Sequence, residues 1–229
     1  MTIGLVGAMD EEIKLIKETM TNPKTDEIGS MQFTTGTIAG RDIVLLKSDI
    51  GKVNAAIGTT LLNYIFSPRY IINTGSAGGL HEDLHVGDVV ISSAVVHHDV
   101  DVTAFGYEYG QVPKMPTYYE PDQKLVSLAE KCAKFMDSRV VKGVIASGDT
   151  FMNDANRILE IRKQFPDVYA VEMEAAAIAQ VCYRFQVPFV IIRSLSDIAG
   201  KDAEVTFEEY LKVASENSAQ QILLMIEEL

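Results

Sequence analysis

Between residues 168 and 197 two short apolar segments flank a helix-forming run, and this alternation limits the fold more than any other stretch. Val168-Tyr169-Ala170-Val171 is short, apolar and β-prone. Glu172-Met173-Glu174 leads into Ala175-Ala176-Ala177-Ile178-Ala179-Gln180-Val181-Cys182-Tyr183, a strong helix former. Pro188 ends the helix, and Phe189-Val190-Ile191-Ile192 reads as a buried strand that stops at Arg193-Ser194-Leu195-Ser196-Asp197. Strand, helix and strand of these lengths make a βαβ crossover, so the two strands are expected to be parallel. Glu174 and Asp197 then both lie beyond the carboxyl ends of parallel strands, where open α/β sheets bind their ligands. Two carboxylates facing one cleft can divide acid and charge-stabilising roles.

The rest of the chain extends this pattern. Residues 2–8 read as a strand, and 10–20 as a helix with Ile13 and Ile16 on one face. Segments 33–38 and 42–48 read as a hairpin turned at Ala39-Gly40-Arg41. Helical spacing covers 52–66, and the buried strand 70–73 breaks at a turn over Gly75-Ser76-Ala77-Gly78-Gly79. A long strand spans 86–96, and the glycine- and tyrosine-rich stretch 103–119 reads as a loop over the site. Helix 122–136, strand 140–146, helix 154–165 and a final amphipathic helix 207–229 complete the pass. With 229 residues and no repeat or linker, residues 1–229 are expected to form one α/β domain, a mostly parallel or mixed central β-sheet flanked by helices.

A net charge of −12 argues against nucleic acid as a partner, because phosphate contacts need a basic surface. It also disfavours anionic membranes, and no apolar run has the length of a bilayer span. Met1 leads straight into an apolar strand with no signal peptide. The two cysteines, Cys132 and Cys182, fall in different helices. A cytoplasmic protein with buried, inert thiols is expected.

Several polar residues stand out. Asp10-Glu11-Glu12 opens a helix, where acids complement the dipole, but that helix follows a strand and the Gly7-Ala8-Met9 turn, so its N-terminus also points into the cleft. Ser76 sits in a glycine turn whose exposed N–H groups can hold an anion or sugar oxygens; a plain tight turn is the alternative. Arg193 interrupts an apolar strand and needs a carboxylate, for which Glu12 and Glu174 are candidates. Asp197 could simply cap the next turn. Phe151, after Ser147-Gly148-Asp149, suits stacking on a flat ring or core packing. His97-His98-Asp99-x-Asp101 fits no standard zinc spacing, so no metal is expected. Walker, dinucleotide and nucleophile-elbow motifs are all missing from the sequence.

Taken together, the segments resemble the nucleoside phosphorylase-like superfamily, and within it the bacterial nucleosidases. The resemblance spans nearly the whole chain. It rests on Gly7-Ala8-Met9 with Glu12, Ser48-Asp49-Ile50-Gly51-Lys52-Val53-Asn54-Ala55-Ala56, Asn73-Thr74-Gly75-Ser76-Ala77-Gly78-Gly79 and Thr103-Ala104-Phe105-Gly106-Tyr107. Ser147-Gly148-Asp149-Thr150-Phe151, Val171-Glu172-Met173-Glu174-Ala175 and Arg193-Ser194-Leu195-Ser196-Asp197 complete it. Met152 departs from the β-branched residue expected there. The resemblance implies hydrolysis of the N-glycosidic bond of 5′-methylthioadenosine and S-adenosylhomocysteine, with no cofactor. It implies that Asp197, helped by Ser196, protonates adenine N7, and that Glu12 activates water. Glu174 would bind the ribose hydroxyls, with Met9 and Met173 against the sugar, and Glu172 would be a further substrate-binding residue. Phe151 would stack on adenine and the backbone of Met152 would read its edge. Ser76 and Arg193 would order the water and Glu12. Ile50 and Phe207, with Val102, Phe105 and Pro113 from the second subunit of a homodimer, would enclose the alkylthio group. A phosphorylase would need cations where Asp10, Glu11 and Glu12 stand, and a non-catalytic nucleoside-binding protein would be expected to lack one of Glu12, Glu174 and Asp197.

Overall fold

A computed structural model describes residues 2–199 and 203–229. The first half opens with β1 (Thr2–Gly7) and α1 (Asp10–Thr19), in which Glu12, Ile13 and Ile16 are buried while Asp10 and Glu11 of the first turn are exposed. Three antiparallel strands follow: β2 (Thr21–Ile28), β3 (Met31–Ile38) and β4 (Arg41–Lys47). Helix α2 (Lys52–Phe66) ends at Ser67 in the left-handed conformation, just before Pro68. Then come β5 (Tyr70–Asn73), β6 (Ser76–Gly79), β7 (Val89–His97) and the short β8 (Tyr118–Tyr119).

In the second half α3 (Gln123–Cys132) and α4 (Ala155–Gln164) are each capped by an aspartate, Asp122 and Asp154, accepting two backbone N–H groups of the first turn. Between them lies β9 (Val140–Ser147). Strand β10 (Val168–Glu172), α5 (Ala175–Phe185), β11 (Phe189–Ile198) and α6 (Ala203–Glu228) end the chain. Among the described residues no helix is long and apolar enough to cross a membrane.

The strands form one mixed sheet in the order β2-β3-β4-β1-β5-β11-β6-β10-β9-β7-β8, and β11 also pairs with β7. That extra pairing closes β11, β6, β10, β9 and β7 into a ring, from which β5, β1, β4, β3 and β2 extend as a wing. Helices α2 and α5 pack together on one face, around Leu62, Ala176 and Ala179. Helices α1, α3 and α6 cover the other, around Ile16, Val126 and Ile222.

Several expectations are corrected. Strands β10 and β11 are not parallel neighbours: β6 lies between them, antiparallel to β10 and parallel to β11. The crossover rule applies to strands that join one sheet in the same sense, whereas here the ring curls and α5 returns the chain in the opposite sense. Strand β11 does not stop at Arg193 but runs ten residues to Ile198. Its register slips by one residue between Leu195 and Asp197, leaving Ser196 as a bulge. The glycine stretch after β5 is not a turn alone; residues 76–79 are a strand wedged between β10 and β11. Strand β2 is an exposed edge that polar sequence concealed. The 103–119 segment contains a short 3₁₀ turn at Thr103–Phe105 as well as β8.

Candidate active site

Glu12 sits in the first turn of α1 and is buried. Its Oε2 accepts the backbone N–H groups of Ala8 and Met9 at 2.8 and 3.2 Å. Its Oε1 accepts the N–H and hydroxyl of Ser76 at 2.8 and 3.1 Å. The capping role and the cleft-facing role therefore coincide: the carboxylate that satisfies N–H groups at the helix start is also tied to β6.

Arg193 is the largest side chain in the fully buried interior. It donates from Nη2 to Glu172 at 2.6 Å, to Asn73 Oδ1 at 2.9 Å and to Glu174 at 3.3 Å, and from Nη1 to the carbonyl of Ser76 at 3.1 Å. Glu12 Oε1 stands 3.8 Å from Nη1. Sequence reasoning named Glu12 and Glu174 as partners and missed the nearest, Glu172. Burial alone would lower the guanidinium's affinity for its proton; Glu172, Glu174 and Glu12 together raise it. Gly75 makes the cluster possible, because a Cβ there would come 2.3 Å from Arg193 Nη1 and 2.6 Å from Glu12 Oε1.

Glu172 closes β10 and caps α5, accepting the N–H groups of Glu174 and Ala175 at 2.9 Å each. Its other oxygen takes the hydroxyl of Ser147, which in turn accepts the Ala176 N–H at 2.7 Å. Glu174 follows, and its Oε1 accepts the Gly51 N–H at 2.9 Å. Three carboxylates around one guanidinium leave excess negative charge. Burial first, then Glu172, push the Glu174 carboxyl up to about 8, with Arg193 opposing.

Asp197 lies on β11 just after the bulge and is buried. Burial pushes its carboxyl up to about 6, while the Ser196 hydroxyl, donating at 2.9 Å, works the other way. Gly78 on the facing strand leaves it room, since a Cβ there would lie 3.0 Å from Asp197 Oδ2.

These groups line a cavity of about 270 Å³. Met9, Glu12, Ile50, Ser76, Phe151, Met152, Glu172, Met173, Glu174, Arg193, Ser196, Asp197 and Phe207 all border it. Phe151 and Phe207 meet edge to face, with centroids 5.7 Å apart. Sequence reasoning did not assign Ala8, Ala77, Gly78, Thr150 or Val171, which also line it. Apart from Thr150 these are small or apolar positions, and no chemistry marks them out. Val102, Phe105 and Pro113 do not reach this chain's cavity. They lie on the segment between β7 and β8, where Phe105 is 83% exposed.

The histidine–aspartate cluster is engaged elsewhere. His97 bonds Gln180 at 2.9 Å, His98 packs on Gly148, and Asp99 pairs with Lys52. Among the described residues no group of three or more His, Cys, Asp or Glu side chains is arranged to hold a metal ion.

A ring-closed mixed sheet with a cavity lined by Glu12, Glu172, Glu174, Arg193 and Asp197 defines a class. The chain matches the phosphorylase superfamily over residues 2–227 and belongs to it. Within that family it is 55% identical over 227 residues to the 5′-methylthioadenosine/S-adenosylhomocysteine nucleosidase of Bacillus subtilis (strain 168), covering 99% of this chain and 98% of that one. The crystal structure of the corresponding nucleosidase from Neisseria meningitidis, in complex with methylthio-immucillin-A, superposes with a TM-score of 0.98 at 48% identity, covering 100% of this chain and 99% of that chain. The enzyme from Colwellia psychrerythraea, in complex with adenine, gives a TM-score of 0.98 at 47% identity over 100% of this chain and 96% of that chain.

Proposed function

We propose that residues 1–229 form one nucleosidase domain that hydrolyses the N-glycosidic bond of 5′-methylthioadenosine and S-adenosylhomocysteine, releasing adenine. The observation that carries the reading is that Glu12, Glu174 and Asp197 line one cavity bordered by Phe151. Adenine leaves poorly until it is protonated, so an acid is needed on its side. Asp197, raised to about 6, retains a useful protonated fraction near neutral pH and serves N7, with Ser196 fixing its orientation. The ribosyl carbon gains positive charge as the bond lengthens, and water must attack opposite the base. Glu12, held by Ser76 and the α1 N-terminus, is the base for that water. Glu174 receives the ribose hydroxyls, Met9 and Met173 contact the sugar, and Phe151 stacks on adenine.

Water rather than phosphate is the nucleophile in this reading. Among the described residues lining the cavity, Arg193 is the one cation, and it is already committed to carboxylates. Adenine release should therefore proceed at the same rate in phosphate-free buffer, with free methylthioribose as the sugar product. Strict phosphate dependence, with a sugar 1-phosphate as product, would overturn it.

We further propose a cytoplasmic homodimer. Both cysteines are free and buried, as suits a reducing compartment. Val53 and Ile57 of α2 and Phe185 of α5 are exposed around one groove with Val112 of the β7–β8 segment. Such an apolar face suits burial against a second copy. In that arrangement Val102, Phe105 and Pro113 of one subunit enclose the alkylthio group bound in the other.

A further inference from the structure

The segment that carries Phe151 is held in place from outside the cavity. Asp99 lies just past β7 and does not border the cavity. Its Oδ1 accepts Lys52 Nζ at 2.5 Å, and its Oδ2 accepts the Asp149 N–H at 3.0 Å. Asp149 Oδ1 accepts the Lys52 N–H at 2.7 Å. The circuit is therefore closed through Asp99, Lys52 and Asp149. Both of its ends reach the cavity. Gly51, immediately before Lys52, donates its N–H to Glu174. Phe151 follows Asp149 by two residues. Gly51 has φ +100°, and a Cβ there would lie 3.3 Å from Asp149 Oδ1, so this turn brings two successive N–H groups onto two different carboxylates. On the other side, Gly148 is pressed against His98, where a Cβ would come 2.2 Å from ring Cε1.

The Lys52 and Asp99 side chains are 17% and 28% exposed, so this pair is sheltered from the screening that weakens surface ion pairs. Burial alone would raise the Asp99 carboxyl; the Lys52 ammonium and the Asp149 N–H outweigh it and hold the group below its ordinary range. Both bonds to Asp99 are charge-assisted. Strand β7 and helix α2 each keep their own backbone bonding without the circuit.

We propose that Asp99 is a positioning residue for the hydrolysis: through Lys52 and Asp149 it sets the Phe151 segment and the Gly51 N–H relative to each other, and with them the adenine and sugar sides of the cavity. The proposal rests on the reading of Phe151 as the adenine platform and Glu174 as the ribose ligand. Displacements of about 1 Å at such contacts cost on the order of 100-fold in rate.

The test compares Asp99→Ala, Asp99→Asn, Lys52→Met and Phe151→Ala for kcat and KM with 5′-methylthioadenosine, for adenine affinity by calorimetry, and for Tm. Asn keeps an acceptor for the Asp149 N–H but loses the charge that holds Lys52. Asp99→Ala should weaken adenine about 10-fold and lower kcat/KM on the order of 100-fold. Asp99→Asn should recover part of both. Adding Lys52→Met to Asp99→Ala should cost little more, because the circuit is already open. Normal kcat/KM and adenine affinity in Asp99→Ala, or effects of Asp99→Ala and Lys52→Met that simply add, would overturn the proposal. Loss of adenine affinity in Phe151→Ala but not in Asp99→Ala removes the positioning role alone. Unchanged affinity in Phe151→Ala removes the platform reading, and the positioning role falls with it. Should Asp99→Ala not fold, Asp99→Asn and Lys52→Met give the same readouts.

Discussion

Asp197 and Glu174 are both carboxyls raised by burial, yet the consequences for each differ. Among the described residues, the Ser196 hydroxyl is the side chain that bonds Asp197, so its raised proton affinity is available to a leaving base. The free enzyme's kcat/KM should fall as pH rises through about 6, where Asp197 loses its proton. Asp197→Asn should lower kcat at least about 100-fold and remove that limb while keeping the side chain's size. Near-normal turnover in the folded variant would reduce Asp197 to a turn cap. Glu174 is raised to about 8 from an ordinary 4.5, so the folded state prefers it protonated. Stability from this group is complete below about 4.5 and is lost as pH rises through about 8. Glu174→Gln, which cannot ionise, should therefore gain Tm relative to wild type between pH 5 and pH 9 in the absence of ligand. A constant difference across that range would refute the linkage. Residues such as Glu12, Arg193 and Asp197 were legible because charge beside or within apolar strands demands an explanation. The choice of Glu172 over Glu174 as the nearest partner of Arg193 was not. A single residue, Met173, separates these acids, and only the turn from β10 into α5 decides which carboxylate faces the guanidinium.

Strand β11 does more than carry residues into the site. Its bulge at Ser196 places that hydroxyl beside Asp197 instead of on the opposite face, as strict alternation would. Nothing in Ser194-Leu195-Ser196-Asp197 announces a bulge, and the polar run read as the strand's end. Strand β2 escaped notice for the opposite reason: Thr21-Asn22-Pro23-Lys24-Thr25-Asp26-Glu27 has no buried face to impose alternation. The helices were read well, since α1, α3 and α4 carry acidic first turns or aspartate caps and clear apolar stripes. The link from β5 to β6 makes an element-level prediction. At Gly75, φ is +149° and the space a Cβ would need is taken by Arg193 and Glu12. Gly75→Ala should cost about 2–4 kcal/mol in urea titration and abolish most turnover, because the Glu12–Ser76–Arg193 geometry must shift. Unchanged stability and activity would mean that the cluster relaxes freely.

At the scale of the whole molecule, the proposed dimer joins surface to site. Phe105→Asp should put charge where the neighbouring subunit's alkylthio pocket closes, and should lower both sedimentation mass and turnover with 5′-methylthioadenosine. A fully active monomer, in wild type or variant, would end the shared-site reading. The mixed α/β architecture was legible from alternation along the chain, but closure of the ring was not. It depends on the pairing of β11 with β7, which joins residues as far apart in sequence as Ile91 and Ile192, and on the curl that makes β10 and β11 run in opposite senses.

That closure also grades the molecule by how readily its backbone opens to solvent. Strand β11 is bonded to β5, β6 and β7, whereas β2 has a single neighbour and an exposed surface. Amide hydrogens of residues 190–195 should exchange only through global unfolding, and those of 21–28 through local fraying, orders of magnitude sooner. Deuterium uptake resolved by peptide reads this directly, and equal rates in the two strands would contradict it. The strand that holds Arg193 and leads to Asp197 is then the last part of the fold to open, so the acid site persists while the wing frays.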